Sequence, residues 1–66
     1  MTKQASNNLL QAIQKEIRTQ MNEVTDHIAM GGCKDMSEYS RNVGIIQGLA
    51  HAERTLLDLD ERMERE

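Results

Sequence analysis

Residues 31–35 (GGCKD) lie near the middle of this 66-residue chain and determine its predicted fold. Two adjacent glycines, Gly31 and Gly32, are poor residues for a helix interior, and glycine is preferred just past a helix end. Asp35 can then cap the start of a new helix, with Glu38 three residues later as the reciprocal member of a capping box. The sequence therefore predicts an all-α fold, a two-helix antiparallel hairpin.

The organisation expected from this turn is a single domain over residues 1–66. It has a helix over about 6–30 capped by Ser6, a turn over 31–35, and a second helix over about 36–63. The chain contains no proline, tryptophan or phenylalanine and a single tyrosine, and this composition favours helix over strand.

Apolar residues of the predicted first helix recur at an average spacing of about 3.6 residues. We expect them to form one straight stripe along the helix and not a heptad seam, which repeats every seven residues. This stripe is the first-helix part of the predicted core. Its members are Leu10, Ile13, Ile17, Met21, Val24 and Ile28.

The second helix carries a broader set of apolar residues, which fall on two overlapping registers. One helix cannot cover both registers, so we expect the early one to pack on the first helix and the late one to contact a partner. The early face, which completes the core, comprises Tyr39, Val43, Ile46 and Ala50. The late face comprises Leu49, Leu56, Leu59 and Met63.

Small residues recur every four positions along the second helix, at Ser40, Gly44, Gly48 and Ala52. Each interior glycine costs the helix about 1 kcal/mol relative to alanine. This cost is understandable if another helix backbone approaches closely along the row. Charged residues flank the row, which argues against a membrane-dimerisation motif, and no apolar run approaches the ~20 residues that span a bilayer.

A chain of this length buries little of its own surface, and oligomerisation is a common remedy. Its single cysteine excludes an intrachain disulfide, and the sequence shows no secretory signal, so we expect a cytoplasmic protein completed by partner chains. The net charge of −3 argues against nucleic acid as a partner. Basic residues are also expected to be neutralised across the hairpin, as Lys15 would be by Glu53.

The residues that could support chemistry are few. Cys33, His27 and His51 are the only metal-like set, and their spacing lacks the paired ligands of a structural zinc site. Nucleophilic catalysis by Cys33 would require a base and a sheltered pocket. We expect no metal, no cofactor and no enzymatic activity.

Three segments resemble a group of small proteins encoded in the head and portal gene regions of tailed bacteriophages. The segments are residues 15–18 (KEIR), residues 31–35 (GGCKD), and residues 43–50 (VGIIQGLA) with 52–54 (AER). The resemblance implies a minor virion or assembly component that adds a helical hairpin to a symmetric ring or shell. It implies no catalytic residue.

The function predicted from these features is that of a structural interaction protein in the virion or the bacterial host cytoplasm. It would bind itself, a capsid or portal-type protein, or both, through the apolar face of the second helix. An alternative is a small regulator that dimerises into a four-helix bundle and binds RNA or DNA, similar in build to the plasmid copy-number hairpin. A third possibility is an inhibitor of a host protein.

Overall fold

A computed structural model describes the backbone of residues 2–65 and the side chains of residues 8–64. This part of the chain forms two helices, α1 (Thr2–Ala29) and α2 (Met36–Arg65). The helices pack side by side in a rod of 49 × 15 × 11 Å. The predicted all-α hairpin is confirmed, and α1 begins at Thr2, so Ser6 lies inside the helix and does not cap it.

The end of α1 is a Schellman motif. The Gly31 N–H donates to the Ile28 carbonyl at 3.0 Å, and the Gly32 N–H donates to the His27 carbonyl at 2.9 Å. Gly31 has a φ of +76°, the left-handed conformation that this motif requires and that glycine adopts without steric penalty. The first glycine therefore ends α1 and reverses the chain.

The start of α2 is fixed by two side chains. The Glu38 N–H donates to the Asp35 side-chain Oδ1 at 2.9 Å, as expected for an N-cap. The Glu38 carboxylate accepts the Lys34 N–H at 2.6 Å, one residue earlier than in the usual capping box. Both helix ends at the turn are thus satisfied by interactions within a few residues.

The face of α1 toward α2 follows a heptad repeat. Its half-buried residues are Leu10, Gln14, Ile17, Met21, Val24 and Ile28. The steps alternate between four and three residues, which is the spacing of a coiled-coil seam. The prediction of a straight stripe through Ile13 is therefore wrong. Ile13 is 40% exposed, because Gln14 occupies the seam position in its place.

The face of α2 toward α1 follows the same repeat. Its half-buried residues are Asn42, Val43, Ile46, Leu49, Ala50, Leu56 and Asp60, and Glu53 is buried. Leu49 and Leu56, predicted to contact a partner, lie in this seam, because one heptad register runs through both predicted faces. Tyr39, predicted in the core, is 44% exposed beside the turn.

The packing between the helices is thin. Among the described side chains no apolar residue is fully buried, and the buried residue is a glutamate, Glu53, at 7% exposure. Two helices alone can cover only one side of each seam residue, so the other side stays in contact with water. The hairpin is held by half-buried contacts and by one polar cluster.

Candidate protein-interaction site

A polar cluster joins the helices halfway along the hairpin. Gln14 Nε2 donates to Glu53 Oε2 at 3.0 Å, and Arg18 Nε donates to the same oxygen at 2.8 Å. We call these three residues the Glu53 cluster. The prediction that Lys15 neutralises Glu53 is corrected to Arg18, because a residue next to Gln14 is turned about 100° away from the seam.

The hydrogen bonds of the cluster set the charge state of Glu53. The bond from Gln14, followed by the bond and the charge of Arg18, holds the pKa of the Glu53 carboxyl below its ordinary value of 4.5, against the opposing effect of burial. The Arg18 side chain is 60% exposed, so water screens its attraction to the carboxylate. The cluster therefore fixes how the helices align more than it adds stability.

The Glu53 cluster fixes the register of the two helices. Glu53 lies level with the stretch between Gln14 and Arg18, because it bonds to both. In an antiparallel pair, a step toward the start of α1 matches a step toward the end of α2. Ile13 therefore lies near the level of Leu56, and residue 9 near the level of residue 60.

Exposed apolar residues gather on one side of the hairpin seam. Successive side chains along a helix are rotated by about 100°. In this antiparallel register, the residue just before each seam position of α1 therefore lies on the same side of the hairpin as the residue just before each seam position of α2. The exposed large apolar residues on that side are Leu9, Ile13, Ile45 and Leu59. We call these four the apolar flank, together with the exposed Met63, which follows Asp60 in the α2 seam and lies one helical turn beyond Leu59. Two of them, Leu59 and Met63, belong to the partner surface expected from the sequence.

The remaining exposed apolar side chains are not part of this flank. Met30 and Met36 lie at the turn, with Tyr39 one helical turn further on. Leu57 lies on the opposite side of α2, in a shallow open groove with Ala50, Glu53, Arg54 and Asp58.

The row of small residues faces solvent. A Cβ atom built on Gly44 or on Gly48 meets nothing within 4 Å outside its own helix surroundings, and Ser40 and Ala52 are exposed. The hairpin itself therefore does not use this row for close helix packing. A helix that packed there would lie outside the described residues.

The residues considered for metal binding or catalysis lie apart or pack at the turn. The His27 ring occupies the space above Gly32 where a Cβ would lie. Cys33 Sγ accepts a hydrogen bond from Asn42 Nδ2 at 3.3 Å. His51 lies exposed on α2, and within residues 8–64 no three potential ligand side chains converge to hold a metal ion.

Comparison of the chain with models of protein families, with curated proteins and with solved structures gave no match. In the part of the chain that the structure describes, neither helix has an apolar stretch that could cross a lipid bilayer. The surface and the packing of the hairpin are thus the basis for inferring what the protein does.

Proposed function

We propose that this protein is a non-enzymatic interaction protein that docks its helical hairpin onto another protein chain through the apolar flank. The observation that carries the proposal is the absence of a buried apolar side chain among residues 8–64. Apolar burial is the main favourable contribution to folding, so a hairpin without it gains stability when a partner covers the exposed side.

The flank suits a helical partner. It is an elongated surface that runs along both antiparallel helices. Amphipathic helices bind such surfaces through residues spaced three and four apart. The resemblance to small phage proteins suggests a head or portal protein as the partner. This would place the chain in a virion or in the cytoplasm of a bacterial host.

The polar groups of the hairpin support an interaction role. Glu53, the most buried ionisable residue described, is held by Gln14 and Arg18. Cys33 is bonded to Asn42 at the turn. These contacts account for both side chains as structural groups of the hairpin.

The alternative of a regulator that binds nucleic acid has less support. Arg18, one of the few basic residues of α1, is paired with Glu53, and the net charge is −3. Binding to RNA that weakens steeply with salt and is lost on replacing Lys15 would favour this alternative.

Thermal unfolding of the isolated protein at low micromolar concentration tests the proposal. We expect a dilute monomer with an unfolding midpoint below about 45 °C, the lower end for single domains. Adding a protein encoded beside this chain should raise the midpoint, and the Leu59→Asp variant should lose that increase. A monomer that unfolds cooperatively above about 60 °C would contradict the proposal, because such a hairpin needs no partner.

A further inference from the structure

A second heptad seam runs along α2, about a quarter turn from the seam that contacts α1. Its steps are four, three, four, three, four and three residues, and all seven residues are exposed. We call it the outer seam. It consists of Arg41, Ile45, Gly48, Ala52, Thr55, Leu59 and Arg62.

The outer seam reads the same in both directions by residue type. From each end it has an arginine, then a large apolar residue, then a small residue, and Ala52 lies at its centre. When two helices pair antiparallel, the first residue of one faces the last of the other. A seam with this symmetry therefore places apolar residues against apolar ones and small residues against small ones, with an arginine facing an arginine at each end.

We propose that the outer seam binds the outer seam of a second copy of this chain, antiparallel, with the two-fold axis beside Ala52. This inference rests on the proposed function and names one partner for it. Ile45 of one copy packs on Leu59 of the other, and Gly48 packs on Thr55. The small central residues let the two backbones approach closely, as ridges-into-grooves packing allows.

The proposed dimer explains why position 48 is a glycine, which the packing of the hairpin alone does not. Gly48 lies in the outer seam and weakens the helix, yet nothing in the hairpin occupies the space beside it. A second helix backbone would occupy that space. Gly44 lies about 40° further from the hairpin seam, outside the outer seam, and thus serves as an internal control.

The exposed surface area of the hairpin is consistent with an interface to one further copy of the chain. The chain exposes 5261 Å², whereas a compact folded monomer of this mass exposes about 4,200 Å². The excess is close to the roughly 800 Å² that each partner buries in a stable interface. One further copy is therefore enough to bring the exposed surface of each chain to the usual value.

The charges of the outer seam predict how the dimer responds to salt. Arg41 of one copy lies near Arg62 of the other, and their mutual repulsion is screened at high ionic strength. We therefore expect tighter association as salt increases. If α1 of one copy instead covered α2 of the other, Glu16 and Glu23 would approach these arginines and salt would weaken association.

Cross-linking tests the position of the two-fold axis. In a Cys33→Ser background, Ala52→Cys should form a covalent dimer on mild oxidation, because the two sulfur atoms would meet across the axis. The matched control is His51→Cys, which is exposed on the same turn but points away from both seams. Equal cross-linking of the two variants, or none in either, would overturn the proposal.

Sedimentation equilibrium tests the close approach at Gly48. Gly48→Leu should weaken the dimer about tenfold or more, since the new side chain keeps the backbones apart. Gly44→Leu should leave the dissociation constant unchanged while it raises helicity to a similar extent. Equal dissociation constants for the two variants would overturn the outer seam as the interface.

The same measurements separate this inference from the function on which it rests. A wild-type chain that stays monomeric at about 1 mM and unfolds at a low temperature overturns the second copy as partner, yet it supports docking on a different protein. A monomer that unfolds above about 60 °C overturns both.

Discussion

The two ends of the hairpin are built differently. At the closed end, next to the turn, the seam is mostly apolar, with Met21 and Ile28 on α1 and Val43 and Ile46 on α2. From the middle of the hairpin toward its open end, the seam carries Gln14 and Glu53, and beyond them Asp60, whose Oδ1 is buried without a hydrogen-bond partner. The closed end thus has more of its own packing, and the open end has polar seam residues with apolar residues beside them.

The two ends differ in how far their structure is determined by residues close in sequence. Caps and apolar contacts near the turn are made between residues close in sequence, so they form without help from another chain. Polar residues in a coiled-coil seam specify register and orientation at some expense in stability. The open end is therefore aligned by the Glu53 cluster but gains its stability from whatever covers the apolar flank.

Removing an apolar side chain at each end should give the largest difference in the free energy of unfolding. Ile46→Ala removes a half-buried contact at the closed end, and we expect it to lower the free energy of unfolding by about 2 kcal/mol. Leu59→Ala on the exposed flank should change it by less than about 0.5 kcal/mol in a dilute monomer but weaken association. Urea unfolding at low and high protein concentration measures both effects. Equal losses in the dilute monomer would contradict the division into two ends.

The turn offers the next largest effect. Gly31→Ala forces alanine into a φ of +76° and should lower the free energy of unfolding by about 1 kcal/mol. Gly32→Ala is the control, because the nearest neighbours of its new Cβ are atoms of the exposed His27 ring, which can move aside. Thermal unfolding followed by circular dichroism should give Gly31→Ala a clearly lower unfolding midpoint than Gly32→Ala. The reverse order would show that the Schellman motif does not determine the turn.

The smallest effect is a pH dependence at the Glu53 cluster. The folded hairpin lowers the pKa of Glu53 below 4.5, so this carboxylate contributes stability above that pH and loses it as the pH falls through the folded value. Wild type should therefore lose more stability than Glu53→Gln between about pH 5 and pH 3. An equal loss of unfolding free energy in the two proteins across this pH range would show that Arg18 and Gln14 do not favour the charged form of Glu53.

The turn and the hairpin were predictable because their signals are local. Gly31 and Asp35 each act through hydrogen bonds to residues at most four positions away, and these preferences can be read from the sequence directly. This is why the fold class follows from five consecutive residues.

The seam was harder to predict because hydropathy favours the wrong residue. Leu10, Ile17 and Val24 are seven residues apart, and Met21 and Ile28 continue a second series whose earlier member is Gln14. A search for residues seven apart would have selected Gln14, whereas the search for apolar residues selected Ile13. The polar residue belongs there because it donates a hydrogen bond to Glu53 across the seam.

The same reason explains the corrected partner surface. Leu49 and Leu56 lie seven residues apart and flank Glu53 in the same heptad repeat as Ile46 and Asp60, so α1 covers one side of each. Glu53 and Asp60 interrupt the apolar pattern and made the series look like two separate faces. The exposed part of the flank became apparent only when the register placed Leu9 and Ile13 beside the end of α2.

Because the two described helices run antiparallel, the start of α1 and the end of α2 lie at one tip of a rod 49 Å long, and the sole cysteine, Cys33, lies at the opposite tip. A fluorophore or surface tether attached to that thiol would hold the protein by its far end and leave the apolar residues near the termini free to meet a binding partner. Fusion tags at either terminus would crowd those residues, so the two modes of immobilisation should give different apparent affinities.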